Sequence, residues 1–167
     1  EFAERRPYMT CDPIRIIDWK HYAKTDRYFV KRYEEETNLK SYILLDCSAS
    51  MGYTSDIITK LDYAASLSAA LAYLSLKQRD AVGLAPFDQI MRRFVPPSSR
   101  AGHLSQLLET LTAQKPSAGT NIADTLHTMA ERIKRRGLVI VISDLFDDIE
   151  KIASGLKHFR HNRHEVI

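Results

Sequence analysis

The chain has 167 residues, 44% hydrophobic and 27% charged, which suits one ordinary folded domain and excludes a disordered tail. Its net charge of +3 is mild, and basic residues are interspersed with acidic ones, so no nucleic-acid surface is implied. With no signal peptide and no apolar run near the roughly 20 residues of a membrane span, this stretch is expected to be cytoplasmic, an anchor elsewhere being left open.

Residues 1–27 are expected as an extended segment packed on the domain that follows, 28–167. Pro7 biases Arg6 away from helix. Asp12 and Pro13 suit a cap and first position of a short helical turn. Trp19, flanked by Ile14, Ile16 and Ile17, is expected to be buried against the domain body. Residues 27–35 predict an edge strand, paired through a turn at Glu36, Thr37 and Asn38 with a strand over 40–46. The run Tyr42-Ile43-Leu44-Leu45 predicts a buried parallel-type strand that ends at Asp46. A helix follows over 57–78, with many small residues on a wide apolar stripe. Then come a buried strand over 81–87, a flexible loop at Pro96-Pro97-Ser98-Ser99 and a helix over 102–113. A helix over 122–136 is expected to stop at Gly137, with Lys134, Arg135 and Arg136 at its negative end. A strand over 138–143, a helix over 149–159 and the start of a strand at 164–167 complete the chain, which is expected to be cut short inside its sheet. Alternating strands and helices imply an α/β three-layer, doubly wound (Rossmann-like) sandwich with a mainly parallel sheet and an antiparallel edge hairpin. Cys11 and Cys47 have no framework spacing and are expected as reduced thiols.

The chemistry gathers at strand ends. Asp46, Ser48 and Ser50 alternate just past the first buried strand, where open α/β sheets bind ligands. Thr120 lies at a helix start within Ala118–Asp124, and Asp144 ends the strand 138–143. Hydroxyls and carboxylates suit a hard divalent cation, magnesium above all, with manganese or calcium as alternatives. The bland alternative is a set of helix caps, since Ser, Thr and Asp are favoured there anyway.

Asp46-x-Ser48-x-Ser50, then Thr120, then Asp144 resembles the metal-ion-dependent adhesion site of von Willebrand factor A-like domains. That resemblance implies direct or near-direct contact by the two serines and the threonine, aspartates acting mainly through water, and a partner carboxylate completing the shell. A second resemblance covers about Glu1 to Asp144. Arg6-Pro7-Tyr8, Arg15, Ile17-Asp18-Trp19, Ala23, Val30-Lys31 and Glu34-Glu35-Glu36 are similar to the bacterial family called domain of unknown function fifty-eight. The family usually shows Gly-Asp-Asp where this chain has Cys11-Asp12-Pro13. Because that family is often encoded beside MoxR-type AAA ATPases, the resemblance implies such an ATPase as partner, in assembly or maturation of protein complexes.

Other chemistry finds little support. There is no phosphate-binding glycine loop and no G-x-S-x-G elbow. An aspartyl-phosphate enzyme would want an acid in place of Ser48 and a lysine near the site, for which no candidate stands out. His158, His161 and His164 are expected as an exposed basic helix end, and His21, His103 and His127 as isolated residues. Asp147 and Asp148 are expected to cap the last helix, and Asp124 to cap or face solvent. The expectation is a non-enzymatic, metal-dependent protein-binding module. The competing readings are a metal-assisted phosphohydrolase and a structural domain with a vestigial site.

Overall fold

The computed structural model describes residues 2–10, 12–33, 39–54, 57–117 and 122–167. The chain divides into two units, Glu1–Thr37 and Asn38–Ile167, each described by itself. The sequence placed that boundary at 27/28. In the first unit β1 (Phe2–Pro7) is followed by a 3-10 turn (Ile14–Ile16) and α1 (Trp19–Thr25). β2 (Phe29–Tyr33) then pairs antiparallel with β1, Pro7 lying opposite Phe29.

The expected cap of the 3-10 turn is corrected here. Asp12 does not cap the turn. Its carboxylate accepts a fork from Arg6, Nη1 at 2.7 Å and Nη2 at 2.6 Å, and the Met9 amide at 2.9 Å. A bidentate guanidinium outweighs one capping bond. Asp18 caps α1 instead, accepting the His21 amide at 3.1 Å. That cap turns the chain so that Ile17 is buried and bridges Val30, while Trp19 starts the helix 53% exposed, edge-on to Tyr22. Within this unit it is Ile17, rather than Trp19, that is buried. The expected turn at 36–38 and the acidic run Glu34-Glu35-Glu36 lie outside the described residues.

β2 does not pair with the strand 40–46 because both edges of that strand are taken. It forms β3 (Lys40–Asp46), whose Tyr42-to-Leu45 run is buried on both faces. β4 (Ala81–Phe87) lies parallel on one side, with Asp46 opposite Phe87. β6 (Leu138–Ile142) lies parallel on the other, with Leu45 opposite Ile142. β5 (Val95–Ser98) joins β4 antiparallel and β7 (Glu165–Val166) joins β6 parallel, giving the order β5-β4-β3-β6-β7. The expected loop at Pro96-Pro97 is thus a strand. Val95 is buried against the core, and prolines are tolerated because the strand is an edge.

Helices cover both faces. Ile43 and Leu45 point to α2 (Lys60–Lys77) and α3 (His103–Thr112), meeting Leu61, Ala64, Ala72, Leu107 and Leu111. Tyr42 and Leu44 point to α4 (Ile122–Arg132) and α5 (Ile149–His161), meeting Ile122, Leu126, Met129 and Phe159. The result is the expected three-layer α/β sandwich. Each such side chain contributes roughly 1.5–3 kcal/mol on burial. No helix among the described residues is long and apolar enough to cross a membrane.

α4 ends at Arg132, four residues earlier than expected. Gly137 does not end that helix. It leads into β6, where the Lys40 carbonyl occupies the space a Cβ would need. A close backbone approach of this kind admits only glycine. Gly137→Ala should therefore destabilise the fold by roughly 1–3 kcal/mol, read as a lower urea midpoint at unchanged slope.

Candidate metal centre

Parallel pairing sends the carboxyl ends of β3, β4 and β6 to one edge of the sheet. Three of the residues singled out from sequence meet there in a chain of oxygens. Ser48 Oγ and Ser50 Oγ lie 3.0 Å apart, and Ser50 Oγ donates to Asp144 Oδ1 at 3.1 Å. Asp46, fully buried, stands behind them. Its Oδ1 accepts the Ser48 amide at 2.8 Å and its Oδ2 accepts Ser143 Oγ at 2.5 Å. Thr120 lies outside the described residues.

The local backbone explains the convergence. Asp46 ends the strand, and its carboxylate catches the amide two residues on, an Asx turn. Residues Ala49–Gly52 then form a 3-10 turn. On the other side Leu145 adopts φ 52°, a left-handed conformation rare for a leucine. That turn lets Ser143 Oγ accept the Leu145 amide at 2.9 Å while donating to Asp46. Ser143 thus ties the β6 loop to the β3 loop.

Sequence reasoning missed two further groups. Lys60 Nζ lies 2.9 Å from Asp144 Oδ2. It is the first residue of α2, placed by a capping box in which Thr59 Oγ1 accepts the Asp62 amide and Asp62 accepts the Thr59 amide. The expectation that no lysine stands near the site is therefore corrected. Burial pushes the Asp144 carboxyl up, but Lys60 and Ser50 outweigh it and hold it below the ordinary carboxylate range. The second group is Arg92. Its Nε donates to Asp88 Oδ2 at 2.8 Å, Nη1 to the Lys115 carbonyl at 2.8 Å and Nη2 to the Cys47 carbonyl at 3.4 Å. The Ser117 amide also donates to the Cys47 carbonyl, at 3.0 Å. The β3 loop is so pinned to the segment that leads toward Thr120.

A hard cation suits this donor set. The hydrogen bonds between Ser48 and Ser50 and from Ser50 to Asp144 gather hydroxyl and carboxylate oxygens, the ligand type such an ion prefers, at one place. Among the described residues no three His, Cys, Asp or Glu side chains cluster as a cage, so hydroxyls are essential to any such site. Cys47 is no nucleophile: it is fully buried, and burial pushes its thiol up to about 11. Cys11 lies outside the described residues.

The model of the family described as "Protein of unknown function DUF58" matches residues 4–167. The chain belongs to that family. Among curated relatives, the uncharacterised proteins Rv1480 of Mycobacterium tuberculosis (strain H37Rv) and Mb1516 of Mycobacterium bovis are each 26% identical over 152 residues, 89% of this chain and 48% of theirs. The chain spans about half the length of these relatives. Among solved structures, the conserved hypothetical protein BatB from Bacteroides thetaiotaomicron superposes with a TM-score of 0.63 at 20% identity, over 77% of this chain and 64% of that one. The vWF domain of the pili tip protein Mfa5 from Porphyromonas gingivalis gives 0.53 at 21% identity, over 63% and 37%. This DUF58 chain therefore has the von Willebrand factor A-like fold.

The remaining singled-out residues find plain structural roles. Asp148 caps α5, accepting Glu150 and Lys151 amides, while Asp147 Oδ2 holds the Ile122 amide at the start of α4. Asp124 is exposed. The histidines depart from expectation. His164 is buried with Nε2 2.9 Å from the Ile133 carbonyl, and His158 Nδ1 lies 3.1 Å from His127 Nδ1 across α4 and α5. Of the three histidines at the expected basic helix end only His161 is exposed, beside the exposed Arg160 and Arg163. His103 is buried on the Val82 carbonyl at 2.7 Å.

The Asp88–Arg92 pin has a pH signature. Burial pushes the Asp88 carboxyl up, but the Ile90 amide, Arg92 and Ser117 outweigh it and hold it below its ordinary range. A depressed folded-state pKa contributes stability that is present above the unfolded value of about 3.9 and lost as pH falls through the folded one. Asp88→Asn should thus be less stable than the parent at pH 7, and urea titrations should show the gap closing as pH falls through the depressed folded-state value and Asp88 is protonated.

Proposed function

We propose that this domain is a metal-dependent protein-binding module and not an enzyme. Magnesium, or manganese or calcium, would be held by Ser48, Ser50 and Thr120, with Asp46 and Asp144 acting mainly through water, and would present an open position to an acidic side chain of the partner. The observation that carries this reading is the convergence of the Ser48 and Ser50 hydroxyls with the Asp144 carboxylate at one strand-end of a von Willebrand factor A-like sheet. Two carboxylates, one already neutralised by Lys60, make a weak metal site until a partner carboxylate arrives. Metal and partner affinities should then rise together, as linkage requires. The family resemblance supports a MoxR-type AAA ATPase as partner and a cytoplasmic role in assembling or maturing protein complexes.

A phosphohydrolase reading gains one observation, the lysine beside Asp144. The nucleophile it needs is poorly placed, since both oxygens of buried Asp46 are already engaged. Magnesium-dependent turnover of generic phosphate esters, abolished by Asp46→Ala, would reverse the preference. A folded sample that binds neither magnesium nor manganese by calorimetry would instead mark the site as vestigial.

Ser48→Ala and Thr120→Ala should each weaken magnesium binding roughly tenfold or more, with the circular dichroism spectrum unchanged. Both should also lose the proteins that the parent chain captures from its source cell in a chelator-sensitive way. Full capture by either variant would refute the bridging cation.

A further inference from the structure

Beside the oxygen cluster runs a groove of about 450 Å³ whose one end is Lys60, Ser143 and Asp144. Its other walls are Met51, Tyr53, Ile58, Tyr63, Ala64 and Ile142. We infer that this groove takes an apolar side chain adjacent to the partner's carboxylate, so that the partner presents an Asp or Glu next to a Leu, Ile, Met or Phe. The inference rests on the metal-bridging reading above and specifies what lies beside the bridging acid.

The groove is built rather than incidental. The Lys60 amide donates to the Tyr53 carbonyl at 3.0 Å, and Thr54 Oγ1 donates to the Ile58 carbonyl at 3.0 Å. These bonds and the Thr59 capping box fix the wall that carries Tyr53 and Ile58. Tyr63 stands three residues after Lys60 on α2, hence on the same helix face. Yet Tyr53, Ile58 and Tyr63 remain 62%, 56% and 63% exposed, a cluster of large apolar surface left in water beside a polar centre.

Charge sets the chemistry of the occupant. The Lys60 ammonium lies at the groove's polar end, on Asp144 and 5.6 Å from the centre of the Tyr53 ring. A cation held near Asp144 competes for that carboxylate and leaves the ammonium to the incoming acid. A basic residue at the same point would meet Lys60 and the metal together. An acid flanked by an apolar side chain is complementary to both ends at once, and burying that side chain adds roughly tenfold to affinity.

The test is nitrogen-15 NMR titration of the whole chain, first with magnesium alone, then with capped tetrapeptides in magnesium. The probes are acetyl-Gly-Asp-Leu-Gly-amide and its Leu-Asp counterpart, with versions in which glycine replaces the leucine or asparagine replaces the aspartate. One leucine peptide should shift Ile58, Tyr63 and Ala64 and bind roughly tenfold tighter than its glycine version. The asparagine version should lose binding. Tyr63→Ala, a change at an exposed position, should weaken the leucine peptide and leave the glycine peptide unaffected, the coupling a direct contact requires. If magnesium moves Asp46 to Ser50 but leucine and glycine peptides bind alike, the groove proposal is overturned while the metal reading stands. If magnesium leaves those residues unmoved, the metal reading falls and takes this proposal with it.

Discussion

The Asp46 carboxylate is the constraint on which the site depends. It is an acid with no exposed surface at the end of a fully buried strand, and such a charge is tolerated only when hydrogen bonds replace its water. Two groups supply them, the Ser48 amide and the Ser143 hydroxyl. Each draws in a different loop. The first curls the chain after β3 so that Ser48 and Ser50 present their hydroxyls together. The second brings the end of β6 across, and with it Asp144. The cluster is thus a by-product of satisfying one buried charge, which is why it is pre-assembled in the protein alone.

A second layer of pins lies around that core. Arg92 reaches from beyond β4 to carbonyls on two other loops, and Lys60 reaches from the first turn of α2 to Asp144. Both use long, cationic side chains to bind elements that the sheet does not join. A guanidinium or ammonium at such a place offsets carboxylate charge that would otherwise repel itself.

Much of this was legible in the sequence because strand ends announce themselves. The runs before Asp46 and Asp144 are continuous apolar segments, so each acid could be placed at the sheet's edge before any coordinates. What escaped is of a different kind. Ser143 sat inside the predicted strand, and only the left-handed Leu145 turn frees its hydroxyl to reach Asp46. Lys60 is 84 residues from Asp144, and no local pattern reveals where a flexible ammonium ends. β5 was hidden because Pro96 and Pro97 signal a loop, and a packed Val95 beside β4 is a tertiary fact. The pairing of β2 was misassigned because its charges correctly indicated an edge, but of a different sheet.

Those two prolines also shape the exposed border of the sheet. β5 closes one side of the five-stranded sheet, and a proline has no amide hydrogen to offer a neighbouring chain. An unprotected border would invite another molecule to continue the ladder, the first step toward fibrils. Here two of the four residues of the outermost strand lack an amide hydrogen, which makes that side a poorer template for a further strand. Pro97 also abuts Gly83 on β4, whose missing side chain lets the kinked strand lie close. The segment that ends one side of the sheet thus also fits closely onto its neighbour.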